Sequence, residues 1–144
     1  AFRSVLKGAG SMKPTDLVDY NLLHESRKQW WADWLAAAGV TGVEDWRGTL
    51  FQNHLAIEAA EAGQGFALAD QILVTDSLLE GWLVRPFSFD MKDHWHYWIV
   101  RGKGQKETVP VRAFREWLMG EIAETNKKYA QLTGHKPATV AAKS

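Results

Sequence analysis

From Lys13 onward, apolar residues come in short blocks whose period switches between that of a helix and that of a strand. In "KPTDL" a proline stands near the first helical position, where a missing N–H costs nothing, and this predicts a short helix. "YNLLH" predicts a brief apolar strand. Ser26 lies three residues before Gln29 in a capping-box arrangement, and Trp30, Trp31, Trp34, Leu35 and Ala38 follow as a helical stripe that Gly39 should end. The turn-rich "GVTGVEDWRG" leads into a strand, "TLF". Asn53 is then expected to cap a helix of about nine residues that stops at Gly63.

Beyond Gly65 the continuous apolar run "FALA" has the character of a strand buried on both faces, common in parallel sheets, though periodicity alone does not distinguish it from a buried helix. "DQILVTDSLLEG" predicts one or two helical turns closed by Gly81, and "WLVRPF" a strand ended by Pro86. "WHYWIV" is rich in aromatic and β-branched residues and reads as a strand, followed by the loop "GKGQKETVP". Val111, Phe114, Trp117, Leu118 and Ile122 mark a long amphipathic helix with Lys127 and Lys128 placed against its C-terminal dipole. After Thr133 the tail has little to bury and is expected to be disordered. Alternating short strands and helices make the fold class α/β.

Composition narrows this further. With 144 residues, 46% of them hydrophobic, the chain can bury a sizeable core. Seventeen Lys and Arg balance seventeen Asp and Glu, so no global field draws it to nucleic acid or an anionic membrane. The absence of cysteine removes disulfides, thiolate nucleophiles and Cys-type zinc sites, and suits a reducing compartment. No apolar run reaches bilayer length and no signal-peptide pattern opens the chain, so a cytoplasmic protein is expected. The opening "AFRSVLKGAGSM" has no initiator Met and no capped element, as expected of a piece of a longer chain.

The chemistry is sparse. A Gly-x-Ser-x-Gly elbow is absent, and "GAGQGF" follows a helix where a dinucleotide fingerprint would follow a strand, so it reads as a helix C-cap and turn. "HESRK" opens like a zincin motif but has Lys28 in place of the second histidine. His94 and His96 could share an ion from one strand face, yet no third ligand lies near, and no metal or cofactor is expected. Glu58 and Glu61 fall on the polar side of an alanine face and read as a solvated edge. Trp30, Trp34 and Trp117 lie on helical stripes and read as core, whereas Trp31, Trp95 and Trp98 are open to either role. What remains is the helix start at Asn53 and His54, whose unpaired N–H groups and dipole favour a carboxylate-bearing small molecule; the competing reading is that Asn53 only caps the helix.

The ordered segments "MKPTDLVDYNLLHESRKQWWADWLAAAGV", "FQNHLAIEAAEAGQGFALADQILVTDSLLEGWLVRPF", "HYWIVRG" and "VRAFREWLMGEI" resemble the C-terminal part of the effector-binding domain of LysR-type transcriptional regulators. The similarity covers about residues 1 to 122 and is nearest the subgroup of the glycine-cleavage activator and the β-lactamase regulator. It implies an α/β fold like the type 2 periplasmic binding proteins, with two subdomains flanking a ligand cleft. Residues 1–88 would form the second subdomain, 89–125 the segment returning to the first, and 126–144 a helix extension and tail. The winged helix-turn-helix, the linker helix and the opening half of the first subdomain have no counterpart, so DNA binding would come only through an N-terminal domain this chain lacks.

By the same resemblance, Asn53 and His54 match the helix start where the family's polar effector contacts occur, and Tyr97 matches a cleft tyrosine of the β-lactamase-regulator branch. Trp31 is a weaker candidate. The implied function is sensing of a small anionic metabolite in a bacterial regulator that is not an enzyme, and that assembles as a homodimer or homotetramer when complete. The rivals are a free-standing solute-binding protein of this fold and, further off, an enzyme built on it.

Overall fold

The computed structural model describes residues 12–25, 29–42, 48–52, 54–91, 97–102 and 104–134. The chain divides into two compact units, Ala1–Met91 and Lys92–Ser144. In the first, a 3-10 helix at Pro14–Asp19 precedes β1 (Leu22–Glu25), α1 (Gln29–Ala37), β2 (Gly48–Phe51), α2 (Leu55–Glu61), β3 (Phe66–Ala67) and α3 (Gln71–Leu79). In the second the one regular element among the described residues is α4, Val109–Thr133.

The three strands form a parallel sheet in the order β2-β1-β3, with Leu22 opposite Gly48 on one side and Phe66 on the other. Successive side chains of a strand point to opposite faces, and the core divides accordingly. Leu22 and Phe66 pack with Leu17, Trp31, Trp34 and Leu35 on the α1 face. Leu23 packs with Ala56, Ile57, Ala59, Ala60 and Val74 on the face of α2 and α3. Parallel neighbours require right-handed crossovers, and a chain that steps from β1 outward to β2 and then back past β1 to β3 must place α1 and α2 on opposite faces. The small side chains at Ala56, Ala59 and Ala60 let α2 lie close to the sheet, and all are buried.

α1, α2 and α3 stop in the same way. The amide three residues past each helix end reaches back five residues (Val40 to Leu35, Gln64 to Ala59, Trp82 to Ser77) and the glycine amide before it reaches back three. This is a Schellman closure, and Gly39, Gly63 and Gly81 supply the positive φ it needs (83°, 81° and 76°). The expected stops at these glycines are therefore met.

At the amino end of the sheet Asn21 ties all three strands. Its carbonyl accepts the Phe66 amide at 3.0 Å, its side-chain amide donates to the Gln64 carbonyl at 2.8 Å, and its Oδ1 accepts from the Thr49 hydroxyl at 3.4 Å.

Four expectations need correction. "WLVRPF" is not a strand: Leu83 belongs to the α2/α3 layer while Phe87 and Met91 belong to the α1 layer, so this stretch crosses from one face of the sheet to the other and cannot run along it. The described part of "WHYWIV", residues 97–100, is irregular and exposed, because strand propensity is realised only against a paired neighbour and none lies beside it among the described residues. Trp117 is 58% exposed, as are Phe114 and Val111 to similar degrees, since no other helix or strand of the second unit is described to cover them. α4 also runs on to Thr133 and closes at Gly134 in the left-handed conformation, so Lys127 and Lys128 stand before the last turn, and Lys127 lies 4.0 Å from Glu124.

One buried residue escaped the sequence reading. His24, at the end of "NLLH", is fully buried on the Leu22 side of β1, and Gly48 on β2 leaves room for it. A Cβ at position 48 would overlap the His24 imidazole and come within 2.7 Å of the Leu22 carbonyl. Gly48→Ala should therefore destabilise the fold by about 1–3 kcal/mol in urea unfolding. Combining it with His24→Ala should recover part of that cost, a coupling of about 1 kcal/mol, because one of the two clashes disappears.

Candidate functional site

In an open parallel sheet, ligands bind outside the carboxyl ends of the strands, at the point where successive connections leave in opposite directions. Here the chain leaves β1 toward β2 and arrives at β3 on the other side of β1, so that point lies between the ends of β1 and β3. The register pairs Glu25 with Phe51, so the carboxyl ends of β1 and β2 lie side by side. The segments leading to α1, α2 and α3 all start from this edge.

His54 is three residues past the end of β2 and occupies the N-cap position of α2. Asn53, the expected cap, lies outside the described residues; the helix begins one residue later than expected and spans seven residues. His54 adopts helical angles (φ −61°, ψ −8°), makes no side-chain cap, and accepts the Ile57 amide on its carbonyl at 2.9 Å. Its Nε2 is 3.4 Å from Glu58 Oε1, one turn along, and both side chains are exposed. Glu61 departs from the expected solvated edge: its carboxylate accepts a hydrogen bond from the Ser77 hydroxyl and ties α2 to α3.

Trp31, in the first turn of α1, is only 3% exposed. Its indole N–H donates to the Leu23 carbonyl at 3.0 Å, and its ring meets Trp34 edge-on with centroids 5.9 Å apart. The indole thus fixes α1 against the central strand. The Ser26 half of the proposed capping box lies outside the described residues, and the Gln29 side-chain amide donates to Asp33 at 2.9 Å.

Tyr97 belongs to the second unit, where it is 67% exposed. His94, Trp95 and His96 lie outside the described residues. Among the described residues no group of three His, Asp or Glu side chains is placed to hold a metal ion, and no helix is long and apolar enough to cross a membrane.

The strongest local electrostatics of the second unit lie at the start of α4. Glu107 Oε1 is 2.8 Å from Arg115 Nε and Oε2 is 3.5 Å from Arg112 Nε. The hydrogen bond from Arg115, aided by the charges of Arg115, Arg112 and Arg101, holds the Glu107 carboxyl below its usual value. A carboxyl lowered in the folded state favours folding at pH above its unfolded value, and this contribution is lost as pH falls through the folded one. An NMR titration should find the Glu107 midpoint below that of an ordinary glutamate, and Arg115→Gln should move it upward.

The LysR substrate binding domain family matches residues 4–123. The transcriptional activator AmpR of Citrobacter koseri is 35% identical over 108 residues, covering 74% of this chain and 37% of that protein. The glycine cleavage system transcriptional activator of Escherichia coli K12 is 28% identical over 127 residues, covering 87% of this chain and 42% of that protein. Among solved structures, the effector domain of AmpR from Pseudomonas aeruginosa superposes with a TM-score of 0.69 at 29% identity, covering 89% of this chain and 62% of that one. The AmpR effector binding domain from Citrobacter freundii gives 0.67 at 28% identity, covering 86% and 62%. The chain spans about two fifths of the length of these two activators. These neighbours carry the periplasmic-binding-protein-like α/β fold expected from the sequence, and the chain belongs to the LysR substrate-binding domain family.

Proposed function

We propose that this chain is the greater part of the effector-sensing domain of a bacterial LysR-type transcriptional regulator, and that it works by binding a small molecule, not by catalysis. The observation that carries the reading is the carboxyl edge of the β2-β1-β3 sheet, from which the segments leading to α1, α2 and α3 all start and which holds a topological switch point between β1 and β3. The first unit, ending at Met91, would be the second effector-binding subdomain, and the second unit would carry the segment returning to the first. Asn53 and His54 would contact an anionic effector at the α2 start, and Tyr97 is a further candidate contact by the family resemblance. Trp31 acts on this reading by holding α1 in place: its N–H is committed to the Leu23 carbonyl and its ring is buried.

Effector binding would then shift the domain between two arrangements for which its affinity differs. The complete protein would be cytoplasmic, would form a homodimer or homotetramer, and would reach DNA through a winged helix-turn-helix outside this chain. No observation favours the solute-binding or enzyme alternatives.

A thermal-shift screen of the complete effector domain against amino acids, short peptides and aromatic carboxylates tests the assignment. A true effector at about 100 times its Kd should stabilise by about 2.7 kcal/mol and raise Tm. The shift should vanish in His54→Ala or Asn53→Ala and shrink in Tyr97→Phe. A ligand that stabilises all three variants as it does the wild type would rule out the α2 start as its site.

A further inference from the structure

The stretch 82–91, whose opening "WLVRPF" was expected to be a strand, is fastened at several points instead. Leu83 is 6% exposed in the α2/α3 layer, and four residues later Phe87 joins the opposite layer. Trp34 of α1 meets the Phe87 ring at 5.5 Å between centroids and the Phe89 ring edge-on at 5.6 Å. Arg85 closes the stretch on itself: its Nε donates to the Phe87 carbonyl at 2.8 Å and its Nη2 lies 2.8 Å from Asp90 Oδ1. The Arg85 side chain is only 19% exposed, so this ion pair is less screened than a surface one. The first unit ends at the next residue, Met91.

From this geometry we infer that residues 82–91 form a strap that fixes where the chain leaves the first unit, and that Trp34 is the positioning residue joining the strap to the sheet edge. α1 carries both ends of the connection. Trp31, in its first turn, is hydrogen-bonded to the Leu23 carbonyl of β1, and Trp34, one turn on, touches both Trp31 and the strap. A displacement of the α1 start would be passed through packed rings to Phe89 and to the exit of the chain, because close-packed side chains transmit a shift where a loop would absorb it. The inference rests on the effector-sensing reading for its purpose, but its physical content is a property of the free protein and is measured without any effector.

Backbone NMR relaxation on the whole chain tests it. In the wild type the amides of residues 87–91 should have order parameters of about 0.85, like those of β1, and in Phe89→Ala and Asp90→Asn they should fall below about 0.6 while β1 is unchanged. Trp34→Phe, which keeps a ring in place, should stay near wild type. Trp31→Phe should shift the amide resonances of Phe89 and Asp90 as much as those around Trp34. Unchanged order at 87–91 in both strap variants would overturn the strap, and so would an equal loss of order in β1. Resonance shifts in Trp31→Phe that stop at Trp34 would overturn the connection to the sheet edge.

Discussion

Parallel pairing of β1 on both of its sides is the constraint from which the rest of the first unit follows. A parallel neighbour cannot be reached by a tight turn, so each pairing demands a crossover, and each crossover brings a helix to cover one face. That is why Leu22 and Leu23, adjacent in sequence, serve two different cores. The same pairing puts every carboxyl end on one edge, so the edge that gathers the helix starts is a consequence of strand direction and not of any particular side chain. Gly48 and Asn21 are what the pairing costs locally: one gives up a side chain to admit His24, and the other spends its backbone and side-chain groups on the neighbouring strands.

The two units differ in how their hydrophobic pattern is used. In the first, the stripe on α1 and the alanine face of α2 have a sheet to cover, and Trp31, Trp34 and Leu35 of the one and Ala56, Ile57, Ala59 and Ala60 of the other are buried. In the second, Val111, Phe114 and Trp117 keep the spacing of a core-facing stripe but remain exposed, with Tyr97, Trp98, Ile99 and Val100 exposed as well. Only Asn126 and Tyr129 of α4 are buried. A helical period states which residues share a face. It does not state whether a partner for that face is present, and the solved neighbours, of which this chain covers about three fifths, are larger.

The same distinction separates what was legible in the sequence from what was not. Helix stops were legible because Gly39, Gly63 and Gly81 act through local backbone geometry. β1, β2 and β3 were legible as short apolar runs, although the continuity of "FALA" alone left strand and buried helix open, and only Phe66–Ala67 of it is strand. "WLVRPF" and "WHYWIV" were misread because propensity describes a residue's fit to a paired surface, and pairing is decided elsewhere in the chain. His24 was hidden for a related reason: a histidine ending an apolar run reads as the strand's polar boundary, and only the glycine diagonally across the next strand makes room for it inside. Its burial could have been suspected from its place on the same side as Leu22 together with a glycine opening the neighbouring strand. At the candidate site, His54 is the N-cap residue of α2, whereas Trp31 has both its ring and its N–H committed to the fold.

Charge adds a last step, because the zero net charge conceals a division. The first unit holds seven Lys and Arg against twelve Asp and Glu, and the second holds ten against five. Each unit therefore carries a substantial field of its own, opposite in sign to the other's, and the cancellation holds only at distances large compared with the molecule. At physiological salt, where fields decay over about 8 Å, an approaching molecule senses the nearer unit and not the sum. An anion would thus be drawn to the second unit and repelled by the first. A site for an anionic effector at the start of α2 must then gain its attraction from groups within a few ångströms, against the long-range sign of its own unit.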